Sequence, residues 1–202
     1  MTLLMFHQWA TGARIYMDTL VVDADHVPKG YQYKVWTFPH LNMVMATTGT
    51  AEVATLLGDQ LAGPHGLSDI DAVNDVAPAE LRRIYAWLTE AQGDIGTATV
   101  YMFGFPDGSD KLVRYIYRSV MNFEPERHRE ETEDPQFAVK PPPRSFELTY
   151  PWTKEEIVDM ANRVRDERMK GLTDDDIPIG GELFATTVNE GTIYTERLHR
   201  FV

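Results

Sequence analysis

Thr2-Leu3-Leu4-Met5-Phe6-His7-Gln8-Trp9-Ala10-Thr11-Gly12-Ala13-Arg14-Ile15-Tyr16-Met17-Asp18 is the stretch whose reading decides the fold. Residues 3–10 read as a strand, Thr11-Gly12-Ala13 as a turn, and residues 14–24 as a second strand rich in β-branched side chains. Pro28-Lys29-Gly30 breaks that run, and Lys34 opens the next one. Asp18 stands sixteen residues after Thr2, and Lys34 sixteen after Asp18. Strands that fold back on one another bring such positions to one end of a sheet.

Further along, Lys34–Phe38 and Leu41–Thr47 read as a hairpin around Pro39-His40, and Gly49 opens a helix with Val53, Leu56, Leu57 and Leu61 on its apolar face. A second helix is predicted from about Pro78, with Leu81, Ile84, Tyr85 and Leu88 at helical spacing. Strands over 97–105 and 111–119 follow, joined by Pro106-Asp107-Gly108-Ser109. Residues 122–144 mix charges and prolines and read as a surface excursion. Thr153 and Glu156 form a capping box that starts a third helix, with Ile157, Met160, Ala161 and Val164 as its buried stripe. Residues 182–188 and 192–201 make a final hairpin around Asn189-Glu190-Gly191. This order predicts an α+β layered fold in one domain spanning 1–202.

Composition narrows the function. The chain has 202 residues, 43% of them apolar, which is ample for one core. A net charge of −12 argues against nucleic acid, because there is no basic stripe to neutralise phosphates. There is no cysteine, so disulfides, thiol catalysis and cysteine-held metal are excluded. No stretch is apolar and long enough to span a bilayer, and no secretory leader is recognised; a cytoplasmic protein with no pro-segment ahead of Thr2 is expected. The histidines lack metal-ligand spacing, and Glu130-Glu131 with Glu133-Asp134 reads as a solvated charge run, so no metal or other cofactor is expected.

Thr2, Asp18 and Lys34 are the candidate catalytic residues. Once Met1 is removed, Thr2 carries a hydroxyl nucleophile and an α-amine, and the amine can serve as its own general base. An α-amine titrates near about 7.7–8.0, and a neighbouring ammonium lowers that value by like-charge repulsion. Lys34 would supply the ammonium and stabilise the alkoxide, and Asp18 would hold Lys34. Backbone N–H groups around Thr48 and Gly49, where the first helix begins, are candidates for an oxyanion site.

These residues resemble the proteasome β subunit and, more closely, the peptidase subunit of the bacterial ATP-dependent two-component protease. Both spacings match without a gap, and Val27-Pro28-Lys29-Gly30, Lys34-Val35 and Gly49-Thr50-Ala51-Glu52 have close counterparts there. The resemblance implies a four-layer αββα sandwich of the N-terminal-nucleophile class and hydrolysis of a peptide or amide substrate. It also implies homo-oligomerisation in a ring, with any ATPase partner unspecified, and places Val21, Gln32, Trp36 and Met45 near the specificity pocket. The chain departs from the family in three ways. It lacks a Ser-Gly-Gly segment before the third helix, which opens instead with Tyr150-Pro151-Trp152-Thr153. Ser145 and Thr173-Asp174 are no convincing match for the family's further Ser and Asp. A single helix stands where the family has two. The alternatives are therefore a catalytically inactive relative that serves as a structural or assembly subunit, and a small-molecule amidase on the same fold.

Overall fold

The computed structural model describes residues 2–23, 26–63, 66–129, 136–170 and 178–201. The N-terminal half contains β1 (Leu4–Trp9), β2 (Gly12–Asp18), β3 (Leu20–Val22), β4 (Pro28–Tyr31), β5 (Val35–Phe38) and β6 (Met43–Gly49). The helices α1 (Ala51–Leu61) and α2 (Ile70–Gln92) follow. Then come β7 (Ala98–Gly104), β8 (Val113–Arg118), β9 (Pro125–Arg129), β10 (Gln136–Lys140), α3 (Lys154–Lys170), β11 (Glu182–Asn189) and β12 (Thr192–Arg200).

Among the described residues, two five-stranded antiparallel sheets organise the fold. One has the order β10-β1-β2-β11-β12 and the other β5-β6-β7-β8-β9; β3 and β4 form a separate ribbon. Alternation of side chains along the strands builds three cores. On β1, Leu4 and Phe6 join Ile15, Val44, Ala46 and Phe103, a core drawn from both sheets. Met5, on the opposite face of β1, joins Tyr16, Leu183 and the α3 residues Ile157, Met160 and Val164. On β6, Met43 and Met45 join Leu57, Leu61, Val73 and Leu81 of α1 and α2. Each large side chain so buried contributes on the order of 1.5–3 kcal/mol.

Three elements differ from the sequence reading. Helix α2 begins at Ile70, eight residues before Pro78, because Asp69 caps it by accepting from the Ala72 N–H at 2.8 Å. Its apolar stripe, Ile70, Val73, Ala77, Leu81, Ile84 and Leu88, runs in phase through Pro78. That continuous burial offsets the proline's cost of about 3 kcal/mol. Pro28-Lys29-Gly30 is part of β4 rather than a break, on a two-stranded ribbon where a missing N–H is tolerated. Within 122–144, residues 125–129 pair with β8 and 136–140 pair with β1, so this segment adds an edge strand to each sheet. The acidic run at 130–134 lies outside the described residues. Helix α3 starts at the expected capping box: Thr153 Oγ1 accepts from the Glu156 N–H at 3.2 Å, and Glu156 Oε2 accepts from the Thr153 N–H at 2.9 Å.

Candidate functional site

Asp18, at the end of β2, is fully buried, and Lys34 is 5% exposed. The Lys34 ammonium donates to Asp18 Oδ1 at 3.1 Å and to the Leu20 carbonyl at 2.6 Å. Asp18 Oδ1 also accepts from the Leu3 N–H at 3.0 Å, and Oδ2 from the Gly180 N–H at 3.2 Å. One carboxylate thus ties together β2, the chain entering β1, the approach to β5 and the approach to β11. Such a buried ion holds only when donors replace its water. Burial pushes the Asp18 carboxyl up, opposed by the Lys34 charge and the two backbone N–H groups. Burial pushes the Lys34 ammonium down, opposed by Asp18.

Thr2 is buried, and the peptide that follows it is held by Asp18 through Leu3. Met1 lies outside the described residues. Thr48 is half-buried near the end of β6. Gly49 has φ +84°, and a Cβ there would lie 1.9 Å from the Thr97 carbonyl oxygen, so this junction requires glycine. Thr50, the N-cap of α1, sends its hydroxyl to the Ile95 carbonyl and makes no side-chain bond to the helix. The first-turn N–H groups of α1 therefore keep their donors free of a side-chain cap.

The four specificity candidates separate into different surroundings. Met45 is fully buried among the α1 and α2 side chains, and Trp36 packs against the same core. A Cβ on Gly58 of α1 would meet Trp36 Cδ1 at 3.0 Å and Met45 Cε at 3.4 Å. Val21 pairs with Gly30 in the β3–β4 ribbon. Gln32 donates its N–H to the Thr19 carbonyl at 2.8 Å and lines a cavity of about 500 Å³. Ser145 lies before α3 with its N–H on the Glu167 carboxylate, whereas Thr173-Asp174 lie outside the described residues.

Sequence reading missed two features. Gly180 holds Asp18 through its backbone N–H, and a main-chain donor 162 residues away leaves no side-chain signal. The second is a cavity of about 450 Å³ lined by His7, Arg14, Tyr16, Tyr150, Trp152 and Lys154, among others. His7 Nδ1 bonds the Tyr16 hydroxyl at 2.9 Å, and its ring stacks on Tyr150 at 4.8 Å. Burial, then the Arg14 charge, lowers the His7 pKa from 6.5 to about 4. Among the described residues no cluster of three or more His, Cys, Asp or Glu side chains is placed to hold a metal, and no helix is long and apolar enough to cross a membrane.

No known family profile matches the chain, and no curated protein matches it in sequence. Solved structures do. Anbu (ancestral beta-subunit) from Yersinia bercovieri superposes with a TM-score of 0.66 at 12% identity, over 98% of this chain and 87% of that one. The Anbu (Gly-1) mutant from Hyphomicrobium sp. strain MC1 gives 0.61 at 10% identity, over 98% and 88%. At these identities the likeness is one of fold, and the described residues of this chain form three α-helices with large antiparallel sheets.

Proposed function

We propose that the chain is a proteasome-like N-terminal threonine hydrolase that cleaves peptide or amide bonds after removal of Met1. The observation that carries this reading is the buried Asp18–Lys34 pair, whose carboxylate also holds the Leu3 N–H one residue from Thr2. In this reading the Thr2 amine takes the proton of its own hydroxyl as the oxygen attacks the carbonyl carbon. The proton then passes to the leaving amine, and water releases the acyl group from Oγ. Lys34, its pKa lowered by burial, depresses the amine pKa and stabilises the alkoxide, while Asp18 fixes the direction of the ammonium. N–H groups at Thr48, Gly49 and the start of α1 receive the oxyanion.

The fold likeness to Anbu supports this assignment, and the three cores support the four-layer order of α1 and α2, sheet, sheet, α3. Anbu is named a beta-subunit, which supports self-association of this chain into a homo-oligomer, with a ring as the form implied by the sequence resemblance. A cytoplasmic location accompanies that reading. Val21, Gln32, Trp36 and Met45 remain the substrate-pocket candidates carried by resemblance.

Thr2→Ala should abolish turnover of peptide and amide substrates while leaving the circular dichroism spectrum and melting curve unchanged. Undiminished turnover would sink the mechanism. A second reading, a non-catalytic subunit on the same fold, is favoured by the path of residues 141–153, which enter α3 through Tyr150-Pro151-Trp152 without a Ser-Gly-Gly segment. Intact-mass measurement on protein from its own host separates the two, because a retained Met1 leaves Thr2 with an amide in place of its base.

A further inference from the structure

The cavity that Gln32 lines is built on the same backbone that holds Asp18. Thr19 follows Asp18 directly, and Gly181 follows Gly180, whose N–H is on the Asp18 carboxylate. These two segments are laced together at the cavity floor, where Thr19 Oγ1 accepts from the Glu182 N–H at 2.9 Å and the Gly180 carbonyl from the Leu20 N–H at 3.2 Å; the Gly181 carbonyl accepts from the Phe201 N–H at 2.9 Å. The remaining walls set the rings of Tyr31, Tyr33, Phe184 and Phe201 beside Gln32, Glu182 and Arg200. Tyr33 and Phe184 meet edge to face at 5.4 Å, and the Tyr33 hydroxyl is pinned by Thr186 and by Thr195, the latter at 2.9 Å. Tyr31 is 74% exposed, yet a Cβ on Gly181 would lie 2.6 Å from its ring and 2.4 Å from Thr19 Oγ1. Gly181, at φ +75°, lets the ring lie against the backbone at the cavity mouth.

We propose that this cavity receives an aromatic side chain of the substrate next to the bond that is cut, and that Tyr31 and Phe184 set that preference. The proposal rests on the hydrolase reading. It shares Gln32 with the specificity pocket implied by resemblance but not Trp36 or Met45, which belong to the core beneath α1. The argument is continuity, volume and chemistry. The cavity begins at the residues that position the candidate site. Its volume of about 500 Å³ holds a phenol or indole ring. Its walls present the edge and face contacts that aromatic rings prefer. A floor whose Thr19 hydroxyl and Gly181 carbonyl already accept from Glu182 and Phe201 asks for little hydrogen bonding from the guest.

Two readouts test it. With isotope-labelled Thr2→Ala protein, N-acetyl-tyrosinamide should shift the amide signals of Thr19, Gln32, Gly181 and Phe184 in the millimolar range, while N-acetyl-alaninamide should not. Adding Tyr31→Ala should weaken those shifts. With active protein, a peptide panel varied on both sides of the cut should show aromatic residues preferred at one flank. Tyr31→Ala should lower kcat/KM about tenfold for those peptides and leave aliphatic ones near wild type. Absent or scattered shifts, or equal loss for all peptides, overturn the proposal. Shifts at these residues without cleavage of any peptide by the Met1-free protein uphold the aromatic cavity and sink the hydrolase reading instead.

Discussion

The β1–β2 pair carries a polar cluster at each end, and the two clusters are buried by opposite means. At one end Asp18 is surrounded by donors: the Lys34 ammonium and the Leu3 and Gly180 N–H groups. At the other, His7 Nδ1 bonds the Tyr16 hydroxyl, its buried Nε2 has no partner among the described residues, and the rings of Tyr150 and Phe137 cover the imidazole. Tyr16 and Asp18 stand two residues apart on β2, about 7 Å at the rise of a strand, and His7 lies towards the β1–β2 turn while Leu3 lies at the open end. One end keeps a charge by replacing its water. The other keeps an imidazole neutral by withholding water. The first arrangement suits electrostatic work on a neighbouring group, and the second suits a rigid wall.

Removing the carboxylate tests the first end most severely. Asp18→Ala leaves the Lys34 ammonium buried with only the Leu20 carbonyl at 2.6 Å and orphans the Leu3 and Gly180 N–H groups. Breaking a buried pair from one side costs about 3–5 kcal/mol. A urea midpoint should fall accordingly. Asp18→Ala combined with Lys34→Met should recover part of the loss, because the unpaired charge goes with it. A double variant as unstable as the single one would show that the pair is not what the surrounding donors serve.

Acid tests the second end. The folded state holds His7 neutral to about pH 4, whereas the unfolded chain takes up the proton near 6.5. Between those values the unfolded state binds more protons, so stability falls as pH falls, by up to about 3 kcal/mol when the window has been crossed. His7→Phe lacks this term. The wild-type urea midpoint should therefore fall further than the variant's between pH 7 and pH 4.5. Parallel curves would mean that His7 is protonated inside the fold and that its aromatic cover does not exclude water.

The two ends were unequally legible in the sequence. Asp18 and Lys34 stand out because a buried pair needs both partners as side chains, at positions that two hairpins bring together. Their main-chain donors leave no mark, and Gly180 was invisible for that reason. The His7 cavity draws its walls from β1, β2, α3 and β12, so no local pattern announces it. Helix α3 was readable from its capping box, which is a local device. The start of α2 was not, because Pro78 resembles a first-turn proline and only tertiary burial of Ile70, Val73 and Ala77 reveals the earlier turns. Strands β9 and β10 were missed because charges and prolines hide edge strands, which need only one buried face.

The smallest expected effect asks whether the two ends are mechanically separate. Thr153 caps α3 through the Glu156 N–H, and Glu156 answers by accepting from the Trp152 and Thr153 N–H groups at 2.7 and 2.9 Å. The first turn so fixed carries Lys154 and Ile157 onto the His7 cavity. Thr153→Ala removes half of the box and should cost about 1 kcal/mol. If the ends are independent, the added amide exchange should concentrate around Trp152, Lys154 and the wall at Tyr16, while the Leu3 and Gly180 amides on Asp18 keep their protection. Faster exchange at Leu3 and Gly180 as well would mean that α3 clamps the sheet as one cooperative unit. The neutral end would then be a support for the charged one, transmitted through Met5, Leu183 and the α3 stripe that packs on them.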